Sequence, residues 1–248
     1  MYQKERLDGI VDILKLHGYV TVKFLKDTLH YSTATVNRDL NTLEKQKIVH
    51  RSWGGVELVK NRGVSLPFRY HKMKSIKARL GKRAAELVHD GDTVFLDATT
   101  TTEYISHYLI DKKDITVITN NMAVVSYLSN FGIETICLGG RVIEVPSMLA
   151  GDDTADMARR YNADIMFFST GAFTSDGLIQ GTPVYDTVRR AMAENSKKVY
   201  FVADHEKLDK SFNRNIFTFA DISGVISDCI FSDEVKEKYN KTEFLEVL

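Results

Sequence analysis

The sequence predicts an α/β chain in two parts: a small N-terminal domain of three helices closed by a β-hairpin, and a larger α/β domain on a mostly parallel sheet. Three observations carry this. Up to Leu58, apolar residues recur at helical spacing in three short segments, followed by two strand-like runs around a glycine pair. Beyond Asp90-Gly91, six β-branched runs alternate with helical stretches, the pattern of a parallel sheet covered on both faces. Finally, 248 residues at 44% hydrophobic content suffice for a small and a medium domain with proper cores.

In the first part, Arg6 to Leu16 aligns Leu7, Ile10, Val11 and Leu14 on one helical stripe, and His17-Gly18 ends it. After the extended pair Tyr19-Val20, Thr21 caps a short helix over residues 22–30 whose Val22, Leu25 and Leu29 face inward. Ser32 caps a third helix over 33–46, packed through the narrow stripe Val36, Leu40 and Leu43. Its other face carries Thr33, Thr35, Asn37, Arg38, Asn41, Thr42 and Lys45, with little acid. An α-helix fits the major groove of DNA, where amides and guanidinium groups meet base edges while hydroxyls hold phosphates. The runs around Gly54-Gly55 then form a wing, completing a winged helix-turn-helix. The candidate contacts to double-stranded DNA are Ser32, Thr33, Thr35, Asn37, Arg38, Asn41, Arg51 and Trp53. The competing reading is a three-helix bundle whose polar third helix is merely solvated.

The net charge of zero hides an uneven distribution: residues 1–83 hold 18 Lys and Arg against 7 Asp and Glu, net +11, and the remainder 15 against 26, net −11. Such a split suits a polyanionic partner for the first part alone. From Leu58 to Ala85 there are nine bases and no acid. Residues 58–70 read as a basic linker, and 71–89 as a helix striped by Ile76, Leu80, Ala84, Leu87 and Val88 with its cations solvated. The expected domains are therefore 1–57, the linker 58–70, and 71–248. The N-terminus mixes charge into its apolar pattern and no segment reaches membrane-spanning length, so no membrane partner and a cytoplasmic location are expected. Cys137 and Cys229 lie in apolar runs without metal-ligand spacing and read as buried thiols; no metal or cofactor is implied.

Ligands of open α/β sheets sit at the carboxyl ends of strands. After the run TVFL, Asp97 and Thr99, Thr100, Thr101 and Thr102 offer a carboxylate for a sugar hydroxyl and a cradle for a phosphate, or simply a helix cap. Asn120 and Asn121, after ITVIT, suit ligand hydroxyls or helix capping equally. Lys207, after KKVYFVAD, brings a cation to the same edge, while Gly139, Gly140 and Gly171 mark tight turns or close ligand approach.

The segment VTVKFLKDTLHYSTATVNRDLNTLEKQKIVHRSWGGVEL resembles the DNA-binding part of the DeoR family of bacterial regulators. The resemblance rests on T-V-x-R-D-L (Thr35, Val36, Arg38, Asp39, Leu40), Leu43-Glu44 and R-x-x-G-G (Arg51, Gly54, Gly55). The second part resembles that family's sensor domain through D-x-x-T-T, T-N-N, L-G-G, Gly151, A-D with F-x-x-x-G (Asp164, Phe167, Gly171), V-x-R-A-M (Val188, Arg190, Ala191, Met192), A-D-H-x-K and I-S-D at Asp228. It thus covers nearly the whole chain. It implies a sensor similar in fold to ribose-5-phosphate isomerase and glucosamine-phosphate deaminase, and a phosphorylated sugar as effector without turnover. The sequence departs from the family pattern at Asn37, where a second arginine is usual, at Thr99 for the phosphate-loop glycine, and at Tyr185 for an acid. A β-branched Thr99 resists positive φ and takes space a close phosphate needs.

The expected function is a DNA-binding regulator, a repressor of sugar-metabolism genes working as a homo-oligomer, dimer or tetramer, and controlled by a sugar phosphate. The alternative is a sugar-phosphate isomerase or deaminase fused to a DNA-binding module, with Asp97 as general base and Lys207 as charge stabiliser. That alternative lacks a second acid at a catalytic motif, so no catalytic residue is assigned.

Overall fold

The computed structural model describes residues 3–46, 48–52, 55–58, 73–144, 148–212 and 214–247. The chain divides into two compact units, Met1–Lys72 and Met73–Leu248. Trp53, Gly54, residues 59–70 of the basic linker with Lys60, Arg62 and Arg69, and the first two residues of the helix expected over 71–89, His71 and Lys72, lie outside the described residues.

The first unit contains α1 (Gln3–His17), β1 (Tyr19–Thr21), α2 (Val22–Leu29), α3 (Thr33–Lys45), β2 (Val49–Ser52) and β3 (Gly55–Leu58). Local chemistry sets its boundaries. Thr21 Oγ1 accepts from Phe24 N at 3.1 Å to start α2, and His30 in the left-handed region (φ 56°) ends it. Ser32 Oγ accepts from Thr35 N at 3.2 Å to start α3, so only residues 30–32 separate the two helices. Val36, Leu40 and Leu43 of α3 are buried with Ile10, Leu14, Leu25, Val49 and Val56 in one core.

A two-stranded hairpin was the sequence expectation, but β1 joins it to give a three-stranded antiparallel sheet in the order β1-β3-β2. The close approach of the Tyr19 side chain explains the glycine at β3: a Cβ on Gly55 would lie 2.1 Å from Tyr19 Oη.

The second unit is a seven-stranded, wholly parallel sheet. Its strands, in chain order, are β4 (Thr93–Leu96), β5 (Thr116–Thr119), β6 (Glu134–Cys137), β9 (Ala163–Phe168), β12 (Ser196–Ala203), β14 (Gly224–Ser227) and β15 (Glu243–Glu246), arranged β15-β14-β12-β9-β4-β5-β6. The six runs read from the sequence supply all but the edge strand β15. Alternation along each strand feeds two cores. Phe95, Ile118, Met166, Phe168 and Phe201 point to one face, and Val94, Leu96, Val117, Ile165, Phe167 and Val202 to the other.

The second of these faces is covered by α4 (Lys74–Ala85), α5 (Glu103–Ser106) and α6 (Met122–Ser129), through residues such as Leu80, Ile105 and Val124. The first is covered by α7 (Asp152–Ala158) and α8 (Pro183–Glu194). Two small antiparallel sheets, β7 (Arg141–Glu144) with β8 (Met148–Ala150) and β10 (Ala172–Phe173) with β11 (Leu178–Gly181) and β13 (Arg214–Thr218), were not foreseen. A final helix, α9 (Asp233–Lys238), precedes β15. The helix expected over 71–89 stops at Ala85, because the last apolar turn tightens through Leu87 N to Ala84 O (3.0 Å) and Val88 N to Ala85 O (3.2 Å).

Strand order reverses at β4: β5 and β6 lie on one side of it, and β9, β12, β14 and β15 on the other. The loops after β4, β5, β9 and β12 therefore meet at the carboxyl edge where doubly wound sheets hold ligands.

Candidate functional site

On α3, Ser32, Thr33, Arg38 and Asn41 are exposed, while Thr35 and Asn37 are half-buried. Asp39, in the middle of the same motif, faces the opposite way, buried and held by Arg6 through Nε at 2.8 Å and Nη2 at 3.0 Å. The motif thus divides by face, one acid anchoring the helix and one cation left to solvent. The wing reaches the same face. Arg51 on β2 donates from Nη2 to Asn37 Oδ1 and from Nη1 to Asn41 Oδ1, each at 2.5 Å, and its backbone N donates to Glu44 Oε1 at 3.3 Å.

At the sheet edge, Asp97 is only 2% exposed and its carboxylate is fully occupied. Oδ1 accepts from Thr99 N (3.1 Å), Thr99 Oγ1 (2.9 Å) and Thr102 Oγ1 (2.7 Å), and Oδ2 from Ser169 N (3.2 Å) and Arg189 Nε (3.0 Å). Five donors exceed the roughly four lone-pair directions a carboxylate offers. Asp97 therefore organises the loop, which corrects the expectation of a free carboxylate aimed at a ligand hydroxyl or acting as a base.

Thr99 is not among the residues with positive φ. Its hydroxyl instead donates to Asp97, with Thr102 Oγ1 2.9 Å away, so the clash foreseen between a β-branched side chain and a left-handed backbone does not arise. Two lysines bracket the loop: Lys77 Nζ donates to Thr100 Oγ1 at 3.0 Å, and Lys207 Nζ to Thr101 Oγ1 at 2.7 Å and Ser169 Oγ at 2.8 Å. Lys77 was read as part of a solvated cationic face. It is buried, because α4 packs directly beside α5 and the loop.

Asn121 caps α6, accepting from Ala123 N at 2.9 Å and donating to Glu103 Oε2 at 3.2 Å, which settles its alternatives in favour of capping. Asn120 is different. Its Nδ2 donates to Leu149 O at 2.7 Å, but Oδ1 is buried without a hydrogen-bond partner among the described residues. Asn120 lines a small cavity, with room for about one water, together with Asp97, Met148, Tyr185 and Arg189, whose guanidinium lies 5.4 Å from the Tyr185 ring centroid. Gly140 (φ 129°) is a packing turn against α7: a Cβ there would stand 1.9 Å from Thr154 Oγ1, which donates to Gly139 O at 2.6 Å. Gly171 is a close approach of another kind, since its Cβ would meet Phe212 Cε2 at 2.6 Å.

Comparison with known proteins decides the lineage of this pair of sites. The model of the DeoR-like helix-turn-helix domain matches residues 6–62, and that of the DeoR C-terminal sensor domain matches residues 72–229. The chain belongs to the DeoR family of transcriptional regulators.

Among curated relatives, this DeoR-family chain is 32% identical to the HTH-type transcriptional repressor GlcR of Bacillus subtilis, over 95% of its own length and 90% of that protein's. It is 29% identical to the glycerol-3-phosphate regulon repressor of Escherichia coli over 92% of each chain. Both of these relatives are repressors by name. Of solved structures, eIF2B beta from Chaetomium thermophilum shares the fold at a TM-score of 0.50 and 13% identity, over 84% of this chain and 58% of that one. Ribose 5-phosphate isomerase from Methanocaldococcus jannaschii matches at a TM-score of 0.43 and 16% identity, over 56% of each. The chain thus spans little more than half of those two structures.

Arg189 and Lys77 are the site residues that sequence reasoning missed. Arg189 fills the unspecified position of the family's V-x-R-A-M pattern, and Lys77 was one of nine bases in an acid-free run. The signal available for each was helical spacing: Lys77 stands three residues before buried Leu80, and Arg189 three before buried Met192. Among the described residues, no helix is long and apolar enough to cross a membrane, and no group of acidic, His and Cys side chains could hold a metal ion.

Proposed function

We propose that this DeoR-family regulator represses genes of sugar metabolism, binding operator DNA through α3 and the wing and releasing or gripping it according to a sugar phosphate held at the carboxyl edge of the sheet. The observation that carries the effector site is the orphaned, buried Asn120 Oδ1, of a residue that lines one small cavity with Arg189 at the strand-order reversal. An unpaired buried carbonyl is costly, and a ligand hydroxyl is the group that would satisfy it. Arg189, Lys77 and Lys207 supply the positive charge a phosphate needs near Thr100 and Thr101. The relatives' names point the same way, one of them being a regulator of a glycerol-3-phosphate regulon.

For DNA, Arg38, Asn37 and Asn41 are the groove-facing set, with Ser32, Thr33 and Thr35 near the phosphates at the start of α3. A two-fold assembly, dimer or tetramer, would match repeated half-sites, and a protein that binds operator DNA in a bacterial-type cell would act in the cytoplasm.

A thermal-shift screen of pentose, hexose and triose phosphates tests the sensor. A ligand at about 100 times its Kd adds about 2.7 kcal/mol, a shift of several degrees in a unit of this size. The shift should disappear in Asn120→Ala and Arg189→Met. A gel-shift series tests the reader: Arg38→Ala should abolish or strongly weaken the operator complex with the circular dichroism spectrum unchanged. Unaltered binding by that variant, or no response to any phosphorylated sugar, would refute the respective half.

A further inference from the structure

We infer that Arg51 is a positioning residue for base reading: by holding the side-chain oxygens of Asn37 and Asn41 with one guanidinium, it fixes both amides in a single orientation and so sharpens discrimination at the base pairs they read. The inference rests on the proposal that α3 enters the major groove, and deepens it.

One guanidinium spans both amides, with Nη2 to Asn37 Oδ1 and Nη1 to Asn41 Oδ1 each at 2.5 Å. Asn37 and Asn41 stand one helical turn apart on α3, so the planar fork ties them to each other as well as to the wing. Arg51 itself is held at its backbone: it pairs opposite Val56 in the wing, and its N donates to Glu44 Oε1 of α3 at 3.3 Å. Among the described residues, neither Nδ2 has a hydrogen-bond partner. The bridge belongs to this chain and not to the family pattern, in which an arginine usually stands in place of Asn37, since a second guanidinium has no acceptor to offer Arg51.

An asparagine free to turn about its side-chain bonds can adapt to many base edges, because every pair presents hydrogen-bonding groups in the major groove. Held in one orientation, it meets those groups from one direction only. Its Nδ2 hydrogens and the remaining lone pair of Oδ1 stay in place, and a base whose pattern does not fit leaves them unpaired. Each amide keeps both a donor and an acceptor, so Arg51 contributes direction, not a choice between A·T and G·C. Ordering a side chain before binding also spares the cost of ordering it in the complex, about two- to tenfold in affinity for each side chain.

The test first selects an operator from random duplex DNA with the full-length protein. Relative affinities for every single-base change in that operator are then measured for the unaltered protein, the double variant Asn37→Ala/Asn41→Ala, Arg51→Lys, and the triple variant. Lysine keeps the charge but lacks the planar fork that spans two amides. Arg51→Lys should reduce discrimination about two- to tenfold at the same base pairs that the double alanine variant relaxes, and should cause no further loss there in the alanine background. Full discrimination by Arg51→Lys overturns the inference, as does relaxation at other base pairs, which marks Arg51 as a base contact in its own right. An even loss across all sequences also overturns it and shows Arg51 to be a phosphate contact or a brace of the wing. If the double alanine variant relaxes no pair, the inference falls while DNA binding itself stands. No enrichment at all, with the fold intact, fells the DNA-reading proposal and this one together. Where Arg51→Lys does not fold, nuclear relaxation of the two Nδ2 groups in the unaltered protein decides: order near that of the rigid backbone supports the bridge, and mobility equal to that of other exposed asparagines refutes it.

Discussion

Replacing Asp97 by asparagine is the most searching perturbation of the sensor. The carboxylate and Arg189 are 2% and 6% exposed, so the pair is buried, and the substitution leaves a guanidinium without its counter-charge. It also puts an amino group where five donors converge, two of them the backbone N–H groups of Thr99 and Ser169, which cannot turn away. Breaking a buried pair by removing one partner costs about 3–5 kcal/mol. At about 2–4 °C per kcal/mol for a unit of 150–250 residues, the sensor transition should fall by about 6–20 °C.

Differential scanning calorimetry of the full chain reads this, with the two units' transitions treated separately because one two-state model does not cover both. The double variant Asp97→Asn/Arg189→Met should be more stable than the sum of its single changes implies, by about 0.5–3 kcal/mol, since the second change removes the stranded charge. A sensor transition within about 2 °C of the unaltered protein's in Asp97→Asn would refute the claim that this carboxylate ties the loop, α8 and the end of β9 together.

Three further outcomes follow from the same coordinates. Leu40→Ala empties a fully buried position of the first unit at a cost of about 2–5 kcal/mol, much of what so small a core supplies; operator binding should vanish while the effector-induced shift of the sensor persists, and retained DNA affinity would count against the assigned core. The hydrogen bond from Lys197, helped by Thr93 N, holds the Asp164 carboxyl below the ordinary aspartate range. The stability it brings is present above about pH 3.9, the unfolded value, and lost as pH falls through the lower folded value. Asp164→Asn should therefore lower Tm modestly at pH 7 and flatten the acid limb, the difference from the unaltered protein vanishing as pH falls through the folded value; an unchanged acid limb would contradict this. Burial pushes the Cys229 thiol up, so a disulfide-exchange reagent at pH 8 should label it only as fast as the sensor opens, and immediate full labelling would show the thiol to be accessible.

The parts legible in the sequence are those whose cause is local. A hydroxyl three residues ahead of a free N–H announces the starts of α2 and α3, and β-branched runs announce six parallel strands, because these signals need only neighbouring residues. Cys137, read as buried, is half-buried near the sheet edge, since β6 lacks a neighbour on one side. The strands β10, β11, β13 and β15 carried weaker patterns and were missed, their identity depending on partners elsewhere in the chain.

The sequence by itself determined two domains of opposite charge, a cation on the outer face of α3, and a threonine-rich loop at a strand end. Only the tertiary structure decided that Arg189 reaches Asp97 across 92 positions, that Lys77 reaches Thr100 across 23, and that Arg51 closes on Asn37 across 14. The physical reason is that hydrogen bonds between distant residues are fixed by strand register and helix packing, which no local spacing encodes. Asp97 N bonded to Phe167 O at 3.1 Å, at the seam of β4 and β9, is what brings those loops within reach of each other.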